Sequence, residues 1–279
     1  PKIVLERGST PINGPHQGAI VDTASGEWWF VHFQDMGIYG RVTHLQPVQW
    51  KDGWPLMGVD LDGNGIGEPV LRYQKPNVSV KSEITAPQTS DEFDSDKLGL
   101  QWQWHANHRD DWADATARRG WLRLKAVATD KDFAQVANLL LQKLPAREFA
   151  VETQLQLASK ADGLQAGLIV MGKKHAALTM LNDNNGQRVA VIVNNEMVAT
   201  EAVPSDTARL RVEMSDGGEC RFSYAGPEGE FKSIGNAFQA TQGMWIGAKV
   251  GIFCRTLPPD PKEAHADFDY FRFSPPSAR

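Results

Sequence analysis

Apolar and polar residues alternate along this chain with the period of strands rather than of helices. Near the start, Gly18 to Thr23, Glu27 to Gln34 and Val42 to Trp50 read as three short strands in series. Ala24-Ser25-Gly26 makes a tight turn between the first two, and the third runs into Asp52-Gly53. Short strands joined by such turns predict an antiparallel meander. Beyond residue 91 the strand-like segments are Trp121 to Lys125, Phe149 to Leu157, Gly167 to Met171, Ala177 to Leu181 and Val189 to Val193. Arg209 to Met214, Cys220 to Tyr224, Trp245 to Cys254 and Phe268 to Phe273 continue the series. In the segment from Phe149, the residues Val151, Thr153, Leu155 and Leu157 alternate with Glu152, Gln154 and Gln156. One apolar and one solvated face suits antiparallel sheets packed as a sandwich. Asp183-Asn184-Asn185-Gly186 and Asp216-Gly217-Gly218 supply hairpin turns. The helical candidate, Asp132 to Gln142, is short and ends in Leu139-Leu140-Leu141, a run that suits a strand equally well.

The expected class is all-β. A glycine-rich turn and a short strand are expected between Gly58 and Pro76. Asn77 to Ser90, rich in Pro, Ser and Thr with weak periodicity, is expected to be a linker. The division predicted is residues 1–76, a linker over 77–90, and a jelly-roll or lectin-like β-sandwich over 91–276. A meander of about four strands is also one blade of a β-propeller, a fold built from roughly 4 to 8 blades. A single blade belongs either to another kind of sheet or to the tail of a longer protein.

Composition narrows the partners. At 279 residues the chain holds one large β unit or two ordinary domains. Hydrophobic residues at 41% and charged ones at 23% are a globular mixture. The formal charge of −5 creates no field that would hold a polyanion, which argues against nucleic acid. No apolar run is long enough to span a bilayer, so no membrane partner is expected. Pro1-Lys2-Ile3 opens in strand-like sequence without an initiator Met or signal peptide, as in a processed or truncated product. Cys220 and Cys254 exclude a disulfide framework and leave one bridge open, so the redox compartment is undetermined. Nine tryptophans are many for this length, and indoles either stack on sugars or fill β cores.

Several groups carry two readings. Asp60-Leu61-Asp62-Gly63-Asn64-Gly65 imitates the start of a calcium loop, but Leu71 stands where the twelfth-position Glu belongs, which favours a glycine-rich turn. Trp102 and Trp104 form a sugar platform or, two apart, share one face and enter the core; core is expected for at least one. Asp91, Asp94, Asp267 and Asp269 come from the two ends of the second region and offer either a structural calcium site or charged strand edges. His16 is a turn cap after Gly14-Pro15 or a site residue at a strand end. Arg41 and Asp35, likewise at strand ends, are surface charges or parts of one site.

Gly14-Pro15-His16-Gln17-Gly18, Trp28-Trp29, Tyr39-Gly40-Arg41, Leu45 to Trp50 and Asp52-Gly53-Trp54-Pro55 resemble the last propeller blade of family 43 glycoside hydrolases. The β-xylosidases and α-L-arabinofuranosidases of that family carry an added C-terminal domain. Asp91 to Asn107, Trp245 to Cys254 and Ala266 to Phe273 are similar to that domain, a concanavalin-like sandwich. The order and pairing of the two blocks make the resemblance specific, and it spans nearly the whole chain.

The resemblance implies an inverting hydrolase of xylan- or arabinoxylan-derived oligosaccharides. Such enzymes set a base and an acid carboxyl roughly 6.5–9.5 Å apart, with a third carboxylate tuning the acid. In the family all three come from earlier blades, so this stretch by itself is expected to be inactive and to partner those blades. His16 matches a histidine that helps hold a channel calcium through water, with Gln17 sharing that role. Arg41 matches the arginine that binds sugar hydroxyls in the −1 subsite, with Asp35 as its support. Trp245 or Phe253 is the expected aromatic reaching from the sandwich toward the substrate. No organic cofactor is implied. The alternative is a non-catalytic carbohydrate-binding sandwich module with a remnant blade.

Overall fold

The computed structural model describes residues 2–78, 83–184, 186–258 and 263–276, with the backbone but not the side chain of His16. The chain divides into two compact units, Pro1–Ala86 and Pro87–Arg279. No helix among the described residues is long and apolar enough to cross a membrane.

The first unit is a meander of β1 (His16–Asp22), β2 (Trp28–Asp35), β3 (Arg41–Lys51) and β4 (Trp54–Met57), hydrogen-bonded in that order. β4 corrects the sequence reading. The chain reverses at Asp52 and Gly53, both at positive φ (54° and 78°), and pairs again at once. Two central residues at positive φ match the twist of a two-residue hairpin. The segment from Gly58 to Pro76, expected to hold a glycine-rich turn and a short strand, meets its neighbours by single bridges, Val59 to Glu68 and Leu5 to Gly67. Gln46 fastens it: its amide donates to the Val70 carbonyl (3.1 Å) and accepts from the Val70 N–H (2.8 Å), as a backbone peptide would. The loop from Asp60 is a set of side-chain-capped turns, Asp60 accepting from Gly63 and Gly65.

Both faces of this sheet carry apolar residues. Trp28, Val42 and Trp50 lie on one face and Val21, Leu45 and Trp54 on the other, all exposed. A sheet apolar on both faces is built to be covered on both, as a propeller blade is.

The second unit begins with β5 (Gln103–Trp104), β6 (Ala113–Arg118), β7 (Trp121–Lys125), β8 (Val127–Ala128), β9 (Leu140–Lys143) and β10 (Phe149–Leu157). It continues with β11 (Gln165–Met171), β12 (His175–Asp183), β13 (Gly186–Val193), β14 (Glu196–Ala202) and β15 (Thr207–Met214). β16 (Glu219–Ala225), β17 (Lys232–Ser233), β18 (Phe238–Gln239), β19 (Lys249–Thr256) and β20 (His265–Ser274) complete it. One sheet runs β17-β16-β15-β10-β20-β7-β6 with β18 on β16; the other runs β14-β13-β12-β11-β19-β9-β5 with β8 on β19. Pairing is antiparallel except between β8 and β19. The turn after Asp183 includes Asn185, which lies outside the described residues.

In the first sheet the alternation is kept. Val151, Thr153, Leu155 and Leu157 are buried, while Glu152, Gln154 and Gln156 are half-buried. In the second sheet it is not, because β11, β12 and β19 are covered on both faces. One face meets the other sheet. The other is covered by the segment expected to be helical, which is a 3₁₀ turn (Phe133–Gln135) running on into β9. Phe133, Val136 and Leu139 from this segment pack with Leu141, Ile169, Ala177, Ile192 and Phe253. Polar ties hold it down: Asp132 accepts from the Asn195 side-chain amide (2.6 Å), and Asn138 donates to the Cys254 carbonyl (2.6 Å). Gly251 permits the close strand approach, since a Cβ there would lie 2.1 Å from the Leu140 carbonyl oxygen.

Cys220 and Cys254 lie in different sheets and are free, buried thiols, so the bridge left open by the sequence is not made. Burial pushes the Cys220 thiol up to about 12.

Candidate functional site

The strand register of the meander gathers one set of residues at one end of one face. Asp35 is the cross-strand partner of Arg41, Phe33 that of Thr43, and His16 that of Phe33. The Arg41 guanidinium lies over the Phe33 ring, 4.5 Å from its centroid. That contact fixes the plane of the guanidinium at the sheet end. Asp35 caps the turn that leads into Arg41, accepting from the Gly37 N–H at 3.0 Å. A 3₁₀ turn, Gly37–Tyr39, and Gly40 at φ 80° then return the chain to β3. Gln17 is exposed on a β-bulge between His16 and Gly18, at φ 32°. Bulges of this kind re-aim side chains at sheet ends.

The side chain of His16 lies outside the described residues, so its place is given by register alone. Among the described residues no group of three or more His, Cys, Asp or Glu side chains converges as a metal site. In the sandwich, Asp267 is held by Arg123 (2.8 and 3.0 Å), Asp91 accepts from Trp102 Nε1 (2.8 Å), and Asp269 accepts from Gln154 (3.0 Å). These carboxylates are committed to protein donors.

The two expected aromatics part company. Phe253 is fully buried in the cluster with Phe133, their rings 4.8 Å apart and edge-on. It has no surface to present to a sugar, which corrects its place among the substrate-binding residues. Trp245 is 74% exposed, at φ 65°, in a loop rather than in the strand expected from Trp245 onward, which starts at Lys249. Met244 and Ile246 beside it are exposed as well, so the loop has an apolar tip. Trp102 is buried against Phe271 (4.9 Å), whereas Trp104 is half-buried beside His108 and Trp112.

A feature not read from the sequence lies beneath the blade site. His32 is buried, stacked on Phe30 (5.0 Å), and faces His44 across the strands (5.3 Å). The Nε2 atoms of both are buried without a hydrogen-bond partner. Desolvation lowers the pKa of each, and His44 lowers that of His32 further. Unfolded imidazoles take up protons near 6.5, while the folded pair resists. The unfolded state thus binds more protons, and stability should fall as pH drops below about 6.5, levelling off below the folded pKa values. Urea unfolding at pH 7.5 and 5.5 measures this, and His32→Phe should flatten the acid limb.

Similarity to known proteins fixes the family. A model described as the beta xylosidase C-terminal concanavalin A-like domain matches residues 90–274, and the glycosyl hydrolases family 43 model matches residues 2–55. The chain belongs to glycoside hydrolase family 43. It is 39% identical over 262 residues to a putative beta-xylosidase of Xylanibacter ruminicola, covering 92% of this chain and 48% of that protein. It is 31% identical over 306 residues to a beta-xylosidase of Formosa agariphila, covering 98% of this chain and 50% of that one. Among solved structures, a bifunctional GH43-CE protein of Bacteroides eggerthii superposes with a TM-score of 0.83 at 25% identity, over 99% of this chain and 35% of that one. The GH43 protein BlXynB of Bacillus licheniformis shares the fold with a TM-score of 0.81 at 23% identity, over 97% of this chain and 56% of its own. The family 43 chain described here spans about half the length of the curated relatives it matches. Its architecture, a propeller blade followed by a concanavalin-like sandwich, is that of the family.

Proposed function

We propose that this chain is the substrate-gripping last blade and the accessory sandwich of an inverting glycosidase that releases xylose or arabinose from xylan-derived oligosaccharides. The observation that carries this reading is the cross-strand pair of Asp35 and Arg41, with the guanidinium laid over Phe33 at one end of the sheet. A guanidinium held in this way donates two parallel hydrogen bonds to vicinal hydroxyls and favours ionisation of a carboxylate nearby. The acid and base carboxyls, roughly 6.5–9.5 Å apart, come from other blades, and the apolar faces of this one pack against them. Trp245, at the apolar tip of its loop, is an exposed aromatic of the sandwich that suits stacking on a sugar ring. His16 and Gln17 meet a channel calcium only through its water shell.

The test is a chimera in which this chain replaces the matching half of the Xylanibacter ruminicola relative. Hydrolysis of 4-nitrophenyl xyloside and arabinofuranoside is expected from the chimera and not from the chain alone. Arg41→Ala should lower kcat/KM by about 10- to 100-fold, the loss of a charged hydrogen bond of 1.5–3 kcal/mol. A folded chimera with full activity after Arg41→Ala would overturn the assignment.

A further inference from the structure

The two sheets of the sandwich end side by side at β5 and β6, and the edge between them is not filled. β6 sets Ala113 and Ala115 there, too small to close the gap, with Leu122 at the base. The result is an open cleft of about 690 Å³, within the range typical of ligand sites. Its wall is aromatic. The exposed His108 imidazole lies nearly parallel to the Trp104 indole (7°, 6.1 Å), and Trp112 meets Trp104 edge-on at 5.5 Å. Asp96, Lys97 and Asp110 form the rim, with Arg109.

Arg109 also borders a second cleft of about 330 Å³, walled by Trp112 and rimmed by Asp111, Lys125 and Glu263. Over both clefts four carboxylates stand against three cations, counting Asp96, Asp110, Asp111 and Glu263 against Lys97, Arg109 and Lys125. Such a rim selects neither an anion nor a cation. It offers hydrogen-bond donors and acceptors in near-equal measure beside flat aromatic surface, the complement of a neutral, polyhydroxylated ring. Two adjoining clefts give room for several rings in a row.

We propose that this edge of the sandwich is a carbohydrate-binding site, separate from the blade site, that takes a neutral xylo-oligosaccharide chain across Trp104, His108 and Trp112. The choice of xylan as the glycan rests on the reading given under Proposed function. Such a site would hold polymer near the enzyme while a chain end is processed, adding apparent affinity through effective concentration.

The whole 279-residue chain is run on native gels containing soluble arabinoxylan, and xylohexaose is titrated by calorimetry. Retardation by arabinoxylan and saturable heat are expected. Trp104→Ala should weaken binding at least tenfold, and His108→Ala several-fold. Asp96→Ala and His108→Ala change exposed side chains, so their unchanged melting temperatures separate a lost ligand contact from a lost fold. No retardation of the unmodified chain overturns the proposal, as does full binding by both Trp104→Ala and His108→Ala. Stronger retention by cellulose oligomers or a charged pectin overturns the ligand class. An active chimera without retardation, or retardation with an inactive one, tells the failure of this site from that of the blade assignment.

Discussion

Phe253→Ala is expected to destabilise the sandwich by about 3–5 kcal/mol, the range for an aromatic removed from a packed core. The ring is fully buried, edge-on to Phe133, beneath the segment that seals the outer face of the second sheet. Arg255 lies across the other ring of the pair, 3.7 Å from the Phe133 centroid, so little is free to collapse into the void. Urea unfolding should show a lower midpoint with an unchanged slope, the sign of lost stability without a changed unfolded state. Trp245→Ala, at an exposed position, should stay within about 0.5 kcal/mol. The contrast discriminates between the two aromatics that the sequence left as equals. A loss below about 1.5 kcal/mol for Phe253→Ala would mean that the ring is not packed under that segment as described.

Arg123→Ala should cost about 3 kcal/mol, because removing one partner strands a buried charge. Asp267 is 2% exposed, between Ala266 and Phe268, and accepts two hydrogen bonds from Arg123. Arg118, at 3.6 Å, would remain as a longer and weaker partner, and that keeps the loss near the lower end. The hydrogen-bonded carboxylate in turn raises the pKa of Arg123. Replacing both residues together by leucine should recover most of the loss, since a buried ion pair and an apolar pair of similar volume are often close in stability. Chemical denaturation of the two variants measures the difference. Equal losses would show that packing, not the stranded carboxylate, sets the cost.

Where one face of a strand meets solvent, its inward residues were legible. The Val151, Thr153, Leu155, Leu157 series is buried as its alternation requires, and the meander strands fall where their turns place them. The pairing of Asp35 with Arg41 follows from that meander, because a short turn fixes which residues face each other. The fourth strand was missed because Trp54-Pro55-Leu56 begins straight after Asp52-Gly53, with a Pro that weakens a strand reading. The 132–139 segment looked helical because its apolar residues pack onto a sheet from outside, at spacings that a turn also provides. The cleft at Trp104 joins residues from two sheet edges and a turn, and no local pattern announces it.

The amino-acid order by itself determined the all-β class, the two-part division of character and, through paired motifs, the family. These properties depend on local alternation, turn chemistry and residue order. Only the tertiary structure decided that Phe253 is sealed in while Trp245 stands out, that His32 and His44 meet, and that Trp104 borders a cleft rather than the core. The physical reason is that alternation says which residues share a face, not what covers that face. In β19, buried on both sides, the run Val250, Ile252, Phe253 and Cys254 could serve as core on either face, and the neighbouring layers make the choice.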